Sequence, residues 1–235
     1  MVGGVFGRML IILQGRLLSR RLKYKGLFSF FNQNIFERMI DIAKSVKGPN
    51  KIIFASSNKK INLILKKICE KKKIIFFPFK GDEENVFKRF QAIVKKNKKK
   101  YKYFLRITCD NYLVQPKIIE LLYKKVCAEK TDYGYIDSMS HFSGEIISVK
   151  TFLKEGNKKI SNKAREHVTW DIRHNKEYSK TILPKNFLNI NHLKSPTLDT
   201  YEDLRKMYYY QLKYPNLKKI RSLESIKRIF PYRSK

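Results

Sequence analysis

Short apolar runs alternate with amphipathic stretches through the first half of the chain. Met9–Leu13 is continuously apolar and predicts a buried strand, ending in a polar loop that carries Arg16, Ser19, Arg21, Lys23 and Lys25. Asn34–Lys44 places Ile35, Met39, Ile40 and Ile42/Ala43 on one helical stripe, with Asn34 as its cap. Gly48-Pro49-Asn50 breaks the helix, and Lys51–Ala55 predicts a second strand followed by the turn Ser56-Ser57-Asn58. Lys60–Lys72 predicts a helix with Ile61, Ile64, Leu65 and Ile68 inward, and Ile74–Phe77 a strand closed by Pro78.

Gly81–Phe90 predicts a helix start with acidic residues in its first turn, where the helix dipole favours them. Tyr103–Ile107 reads as a strand and Pro116 to about Cys127 as a helix opened by proline. Asp132–Ile136 and Glu145–Val149 read as shorter strands, Lys163–Asn175 as a helix, and Thr181–Leu183 and Leu188–Leu193 as extended. A last helix is expected over Tyr201–Leu212. Alternation of strand and helix argues for an α/β domain with a mostly parallel sheet and right-handed crossovers. Residues 9–213 form the domain in this reading, residues 1–8 a non-essential extension and residues 214–235 a basic tail.

Length and composition suit one such domain. A chain of 235 residues, 43% hydrophobic and 13% aromatic, can bury a full core and does not resemble a disordered chain. The three cysteines, Cys69, Cys109 and Cys127, are odd in number and scattered, so a disulfide framework and a zinc finger are both excluded and a cytoplasmic setting is expected. No apolar run approaches a membrane span. The formal charge of +32 invites polyanions. Its lysines fall in runs at predicted helix ends without interleaved aromatics, so no specific nucleic-acid partner is expected.

Candidate chemistry gathers at predicted strand ends. Arginines grip phosphate oxygens in bidentate fashion and lysine adds a point charge, so the loop after the first strand suits a phosphate ligand, as it equally suits solvated charges. Asp110 and Asp199 each follow an extended stretch. Two such carboxylates can hold one Mg²⁺ against phosphates, whereas singly each reads as a turn or cap residue. Neither a P-loop nor a dinucleotide fingerprint is present.

Five motifs in order decide between these readings by resemblance. Ile11–Lys25 (I-I-L-Q-G-R-L-L-S-R-R-L-K-Y-K), Gly81–Phe90, Arg106–Leu113 (R-I-T-C-D-N-Y-L), Arg165–Arg173 (R-E-H-V-T-W-D-I-R) and Leu198–Leu204 (L-D-T-Y-E-D-L) span most of the chain. Together they resemble the sugar cytidylyltransferases of spore-coat polysaccharide biosynthesis, relatives of the CMP-sialic acid and CMP-Kdo synthetases.

The resemblance implies a single-domain, three-layer αβα fold of the nucleotide-diphospho-sugar transferase type, Rossmann-like with a mixed, mostly parallel sheet. It implies transfer of CMP from CTP to an acceptor sugar, of the sialic-acid or another nonulosonic type, with Mg²⁺ as cofactor and a homodimer as the assembly. Gln14, Gly15, Arg16, Ser19, Arg21 and Lys25 would hold the triphosphate end, and Ala55, Ser56, Gly81, Glu83, Arg89 and Arg106 the rest of the nucleotide. Arg16, Lys25, Asp110 and Asp199 are the implied catalytic set, with Asp110 and Asp199 on the metal, and Arg165, Glu166 and His167 face the sugar. The motifs depart from the family pattern at Leu18, Lys23, Tyr24, Cys109, Asn111-Tyr112 and Ser143.

Overall fold

The computed structural model describes residues 7–48, 50–137, 140–184, 196–213 and 215. Residues 1–6 of the expected extension, the stretch Leu188–Leu193 and, apart from residue 215, the basic tail lie outside them. In chain order the first half contains β1 (Leu10–Gln14), a small hairpin of β2 (Ser29–Phe30) and β3 (Gln33–Asn34), α1 (Ile35–Ser45), β4 (Lys51–Ser57) and α2 (Leu63–Lys71). Then come β5 (Ile75–Phe79), α3 (Val86–Asn97), β6 (Tyr103–Thr108) and α4 (Pro116–Glu129). The second half adds β7 (Tyr133–Ile136), β8 (Glu145–Ser148), α5 (Val149–Glu155), α6 (Asn162–Glu166), α7 (Trp170–His174), β9 (Lys180–Leu183) and α8 (Tyr201–Lys213).

Among the described residues seven strands form one sheet in the order β5-β4-β1-β6-β8-β7-β9. β5, β4, β1 and β6 are mutually parallel, β8 is antiparallel to both its neighbours, and β9 pairs parallel with β7. The apolar run of β1 is continuous because both of its faces are covered. Ile11 and Leu13 join Met39 and Ile40 of α1, Ile118 and Leu122 of α4 and Met207 of α8 in one core. Leu10 and Ile12 point the other way, into a core with Phe87 and Phe90 of α3, Phe152 of α5 and Ile172 of α7. Period-two alternation along one strand thus builds the three layers of an αβα sandwich.

Local signals hold where a cap or a proline sets them. Asn34 accepts the backbone N–H of Glu37 at 2.8 Å and starts α1 one residue on. Pro116 opens α4. Four expectations change. Residues 60–62 form a 3₁₀ turn before α2, which shifts the helical phase, so Leu65 and Cys69 face inward while Ile61 and Ile64 are exposed. The third strand does not stop at Pro78 but runs through it to Phe79, because β5 is an edge strand and the missing N–H breaks no ladder.

The helix expected from Gly81 starts only at Val86, where the Asn85 side chain accepts from Lys88 N–H at 3.1 Å. Asp82, Glu83 and Glu84 therefore sit in the turn before it. The helix expected over Lys163–Asn175 is two short ones, broken at His167, whose φ of −95° and ψ of 58° are not helical.

Gly144, at the start of β8, has a φ of +72°, and a Cβ there would lie 2.3 Å from the carbonyl oxygen of Arg106. Both the backbone conformation and the contact exclude a side chain. Gly144→Ala is expected to cost about 2 kcal/mol or more and to lower Tm by roughly 4–8 °C in a thermal melt. An unchanged melting temperature would refute this account of the β6–β8 junction.

Candidate active site

A cleft of about 570 Å³ opens at the carboxyl ends of β1 and β6, where ligands bind in open α/β sheets. The loop after β1 folds over it because two apolar side chains pin the loop down: Leu17 and Leu22 are each 1% exposed. The Leu17 N–H also donates to Asn62 Oδ1 at 2.9 Å, and Tyr24 N–H to the Leu17 carbonyl at 2.7 Å. Arg16, Ser19, Arg21 and Lys25 are left lining the cleft. Gly15 lines it too, and a Cβ there would stand 2.6 Å from the Phe36 ring, so the chain leaves β1 against that ring with no room for a side chain.

Asp110 and Asp199 meet across this floor although they are far apart in sequence. An isolated bridge pairs Asn111 with Thr197, the Thr197 hydroxyl donates to Asn111 Oδ1 at 2.9 Å, and Leu198 N–H donates to the Asp110 carbonyl at 2.9 Å. Asp203 in turn accepts from Asp199 N–H and Thr200 N–H at 3.2 and 2.9 Å. Lys25 Nζ sits between the two carboxylates, 2.6 Å from Asp110 Oδ2 and 2.8 Å from Asp199 Oδ1. Burial by itself would lower the Lys25 pKa, but the two aspartates outweigh it and raise it, so the ammonium stays charged. Arg21 takes Asp199 Oδ2 at 2.8 Å.

The donor set suits a hard divalent cation. Both residues offer oxygen ligands, the ammonium of Lys25 already marks a position of cation affinity between them, and Asp110 Oδ1 is buried without a hydrogen-bond partner among the described residues. Among the described residues no three or more His, Cys, Asp or Glu side chains are grouped so as to hold a metal ion, so further ligands would come from phosphate oxygens and water.

One wall is held by a buried network. Arg106 Nε donates to Gln14 Oε1 at 3.1 Å, and Arg106 Nη1 lies 2.5 Å from Glu145 Oε2. Glu145 also accepts from the hydroxyls of Tyr133 and, at 2.9 Å, Thr169. Burial would raise the Glu145 pKa, but Arg106 and these hydroxyls hold it below the usual carboxylate range. The break in the helix at His167 lets Thr169 reach Glu145 while Glu166 and His167 line the cleft.

At the other wall Arg16 pairs with Glu84 at 2.6 Å, and the contact raises its pKa against the opposing effect of burial. Arg89 is 1% exposed, and its Nη2 donates to the Glu83 carbonyl at 2.7 Å while Nε has no partner among the described residues. Burial, followed by the charge of Arg16, pushes its pKa down to about 10. Arg89 thus brings an under-partnered guanidinium to the cleft wall.

The cleft unites Gln14, Gly15, Arg16, Ser19, Arg21, Lys25, Arg89, Arg106, Asp110, Glu166, His167 and Asp199, all singled out in the sequence. Ala55 and Ser56 are instead buried within β4, and Gly81 packs by the Phe79 ring. Glu83 supports the wall from behind, accepting from the Ser57 hydroxyl at 2.7 Å and pairing with Lys59 at 2.5 Å. Arg165 pairs with Asp82 at 2.9 Å outside the cleft lining. The sequence reading assigned no role to Glu84, Thr197 or Glu145. Glu145 carried a usable signal, being the one acidic residue in an otherwise apolar strand pattern.

Residues 10–233 match the model of the cytidylyltransferase family. The spore coat polysaccharide biosynthesis protein SpsF of Bacillus subtilis (strain 168) is 26% identical over 209 residues, covering 85% of each chain. A cytidylyltransferase from Leptospira borgpetersenii superposes with a TM-score of 0.73 at 16% identity, covering 97% of this chain and 98% of that one. CMP:2-keto-3-deoxy-manno-octonic acid synthetase, solved in complex with CTP, superposes with a TM-score of 0.65 at 11% identity, covering 88% of this chain and 98% of that one. Among the described residues no helix is long and apolar enough to cross a membrane.

Proposed function

The chain belongs to the cytidylyltransferase family, whose members are nucleotidyltransferases, and on that premise we propose that it transfers CMP from CTP to a sugar hydroxyl in a magnesium-dependent reaction. The acceptor is a sialic-acid-like or other nonulosonic acid, pyrophosphate is the leaving group, and the product feeds surface polysaccharide synthesis. The observation that carries the reading is the convergence of Arg16, Arg21 and Lys25 with Asp110 and Asp199 in one cleft at the strand ends. The polysaccharide role is supported by the similarity to SpsF.

The acceptor hydroxyl oxygen attacks the α-phosphorus of CTP in line as the bond to the bridging oxygen of the β-phosphate breaks; pyrophosphate leaves and the hydroxyl proton passes to water. Such a reaction needs positioning and charge neutralisation above all. Arg16 and Arg21 grip the triphosphate, Lys25 adds a point charge beside it, and Ser19 donates a hydroxyl. Asp110 and Asp199 would hold Mg²⁺, which when bound supplies Lewis-acid neutralisation of phosphate oxygens. Arg89 and Arg106 bring donors to the remainder of the nucleotide, with Gln14 and Glu145 fixing the orientation of Arg106. Glu166 and His167 lie at the acceptor side.

A thermal-shift comparison of CTP, UTP, GTP and ATP, each with and without Mg²⁺, tests the reading. CTP with Mg²⁺ at about a hundred times its Kd is expected to add about 2.7 kcal/mol of stability, roughly 5–10 °C in Tm, with smaller shifts for the others. Equal shifts for all four nucleotides that fade as salt rises would instead report a polycation without a cytidine site, and would overturn the proposal.

A further inference from the structure

The end of the sheet opposite the cleft carries a second feature that catalysis does not use. In a parallel α/β unit each helix runs back to the start of the next strand, so the α1–β4, α2–β5 and α3–β6 connections all emerge at this one end. Residues 44–51, 71–73 and 95–102, which make up these connections and the helix ends leading into them, hold twelve lysines, no arginine and no acidic residue. Exposed Arg8, just before β1, adds to the same end. Lysine in a last helical turn offsets the helix dipole, but that accounts for one or two per helix and not for six between residues 95 and 102.

The charge here is also unspent. At the cleft, Arg16, Arg21 and Lys25 are matched by Glu84, Asp199 and Asp110. At the opposite end Lys71 and Lys72 reach Glu37 and Asp41, whereas Lys47, Lys73, Lys98, Lys99 and Lys100 have no ion-pair partner among the described residues. A shallow depression of about 600 Å³ lies within this end, lined by Lys44, Lys51 and Lys73 together with Val46, Ile52, Ile74 and Ile75.

We propose that this end docks on an anionic phospholipid bilayer, with lipid phosphates among the lysines. Lysine ammonium groups around an apolar lining match a charged headgroup above hydrocarbon. Nucleic acid fits less well: its binding surfaces pair cations with exposed aromatics or forked arginine, and the only aromatic residue in the three segments is half-buried Tyr101. The docked molecule holds its cleft at the far end of the sheet, open to solutes.

The test is sedimentation of the full chain with vesicles of phosphatidylcholine alone and of phosphatidylcholine with about 30% phosphatidylglycerol, a typical anionic surface. Binding is expected only to the anionic vesicles and is expected to weaken as salt rises. Each lysine near such a surface multiplies the partition coefficient about fivefold, so the triple variant Lys73→Gln, Lys99→Gln, Lys100→Gln should bind about a hundredfold more weakly. The same variant should keep the wild-type response to CTP in solution, which separates this proposal from the catalytic one. Equal binding to both vesicles, or undiminished binding by the variant, would overturn it. So would single-stranded RNA binding that the variant loses in the absence of any vesicle binding by the wild type.

Discussion

Asp110→Asn is expected to reduce pyrophosphate release from CTP by about 10²–10³-fold, the scale set by losing one electrostatic stabiliser of a transition state. The substitution is isosteric and removes only charge. Lys25 keeps Asp199 at 2.8 Å and gains a neutral acceptor in place of Asp110, so its ammonium remains anchored. What disappears is one of the two carboxylates that converge on Lys25 and would hold the cation, with the buried Oδ1 atom that no donor among the described residues satisfies. The fold should survive, because Asp110 is tied to the rest of the cleft through its backbone carbonyl and Leu198. Two readouts distinguish this role from a structural one. The magnesium-dependent increment in CTP stabilisation should vanish while the stabilisation by CTP alone persists, and the urea midpoint should move little. Turnover that keeps its metal dependence in the variant would remove Asp110 from the metal site.

The largest loss of stability is expected from Glu145→Gln, at about 3–5 kcal/mol. Glu145 is 6% exposed and faces Arg106. A buried pair of this kind contributes little beyond a well-packed apolar substitute, because both ions have left water. Removing one member is a different matter, since Arg106 would remain buried with a charge that nothing balances, and Gln14 and Thr169 would lose their common organiser.

The pH dependence has a definite sign. The folded-state pKa of Glu145 is depressed, so its contribution is fully present above the unfolded carboxylate pKa and is lost as pH falls through the folded one. Wild type therefore loses this increment in acid, whereas the glutamine variant has none to lose. Urea titrations of both proteins at neutral pH and in acid should show the stability gap narrowing at low pH. A gap that stays constant would mean that the Glu145 charge is not what stabilises this wall.

How much of this was legible beforehand follows from the range of the interactions involved. Asn34 at the start of α1 and Pro116 at the start of α4 act within one turn, so their effect is written locally. Pro78 and His167 show the limit. Each reads as a stop or a continuation by local rules, yet the edge position of β5 lets a strand run through Pro78, and the helix expected across His167 breaks there. Likewise a 3₁₀ turn of three residues is enough to turn Ile61 and Ile64 outward against a reasonable periodicity.

By itself the sequence determined the α/β class with a mostly parallel sheet, because short apolar strands alternate with amphipathic helices. The resemblance of its short motifs to the family pattern singled out many of the residues that line the cleft. The tertiary structure alone decided which charges meet: Arg16 with Glu84, Lys25 between Asp110 and Asp199, and Arg106 with Glu145. It alone also gathered three separate lysine runs at one end of the molecule. The reason is physical. Periodicity and capping are set by neighbours in the chain, whereas a charge finds its partner through sheet order and crossover direction, which bring together residues with no local relation.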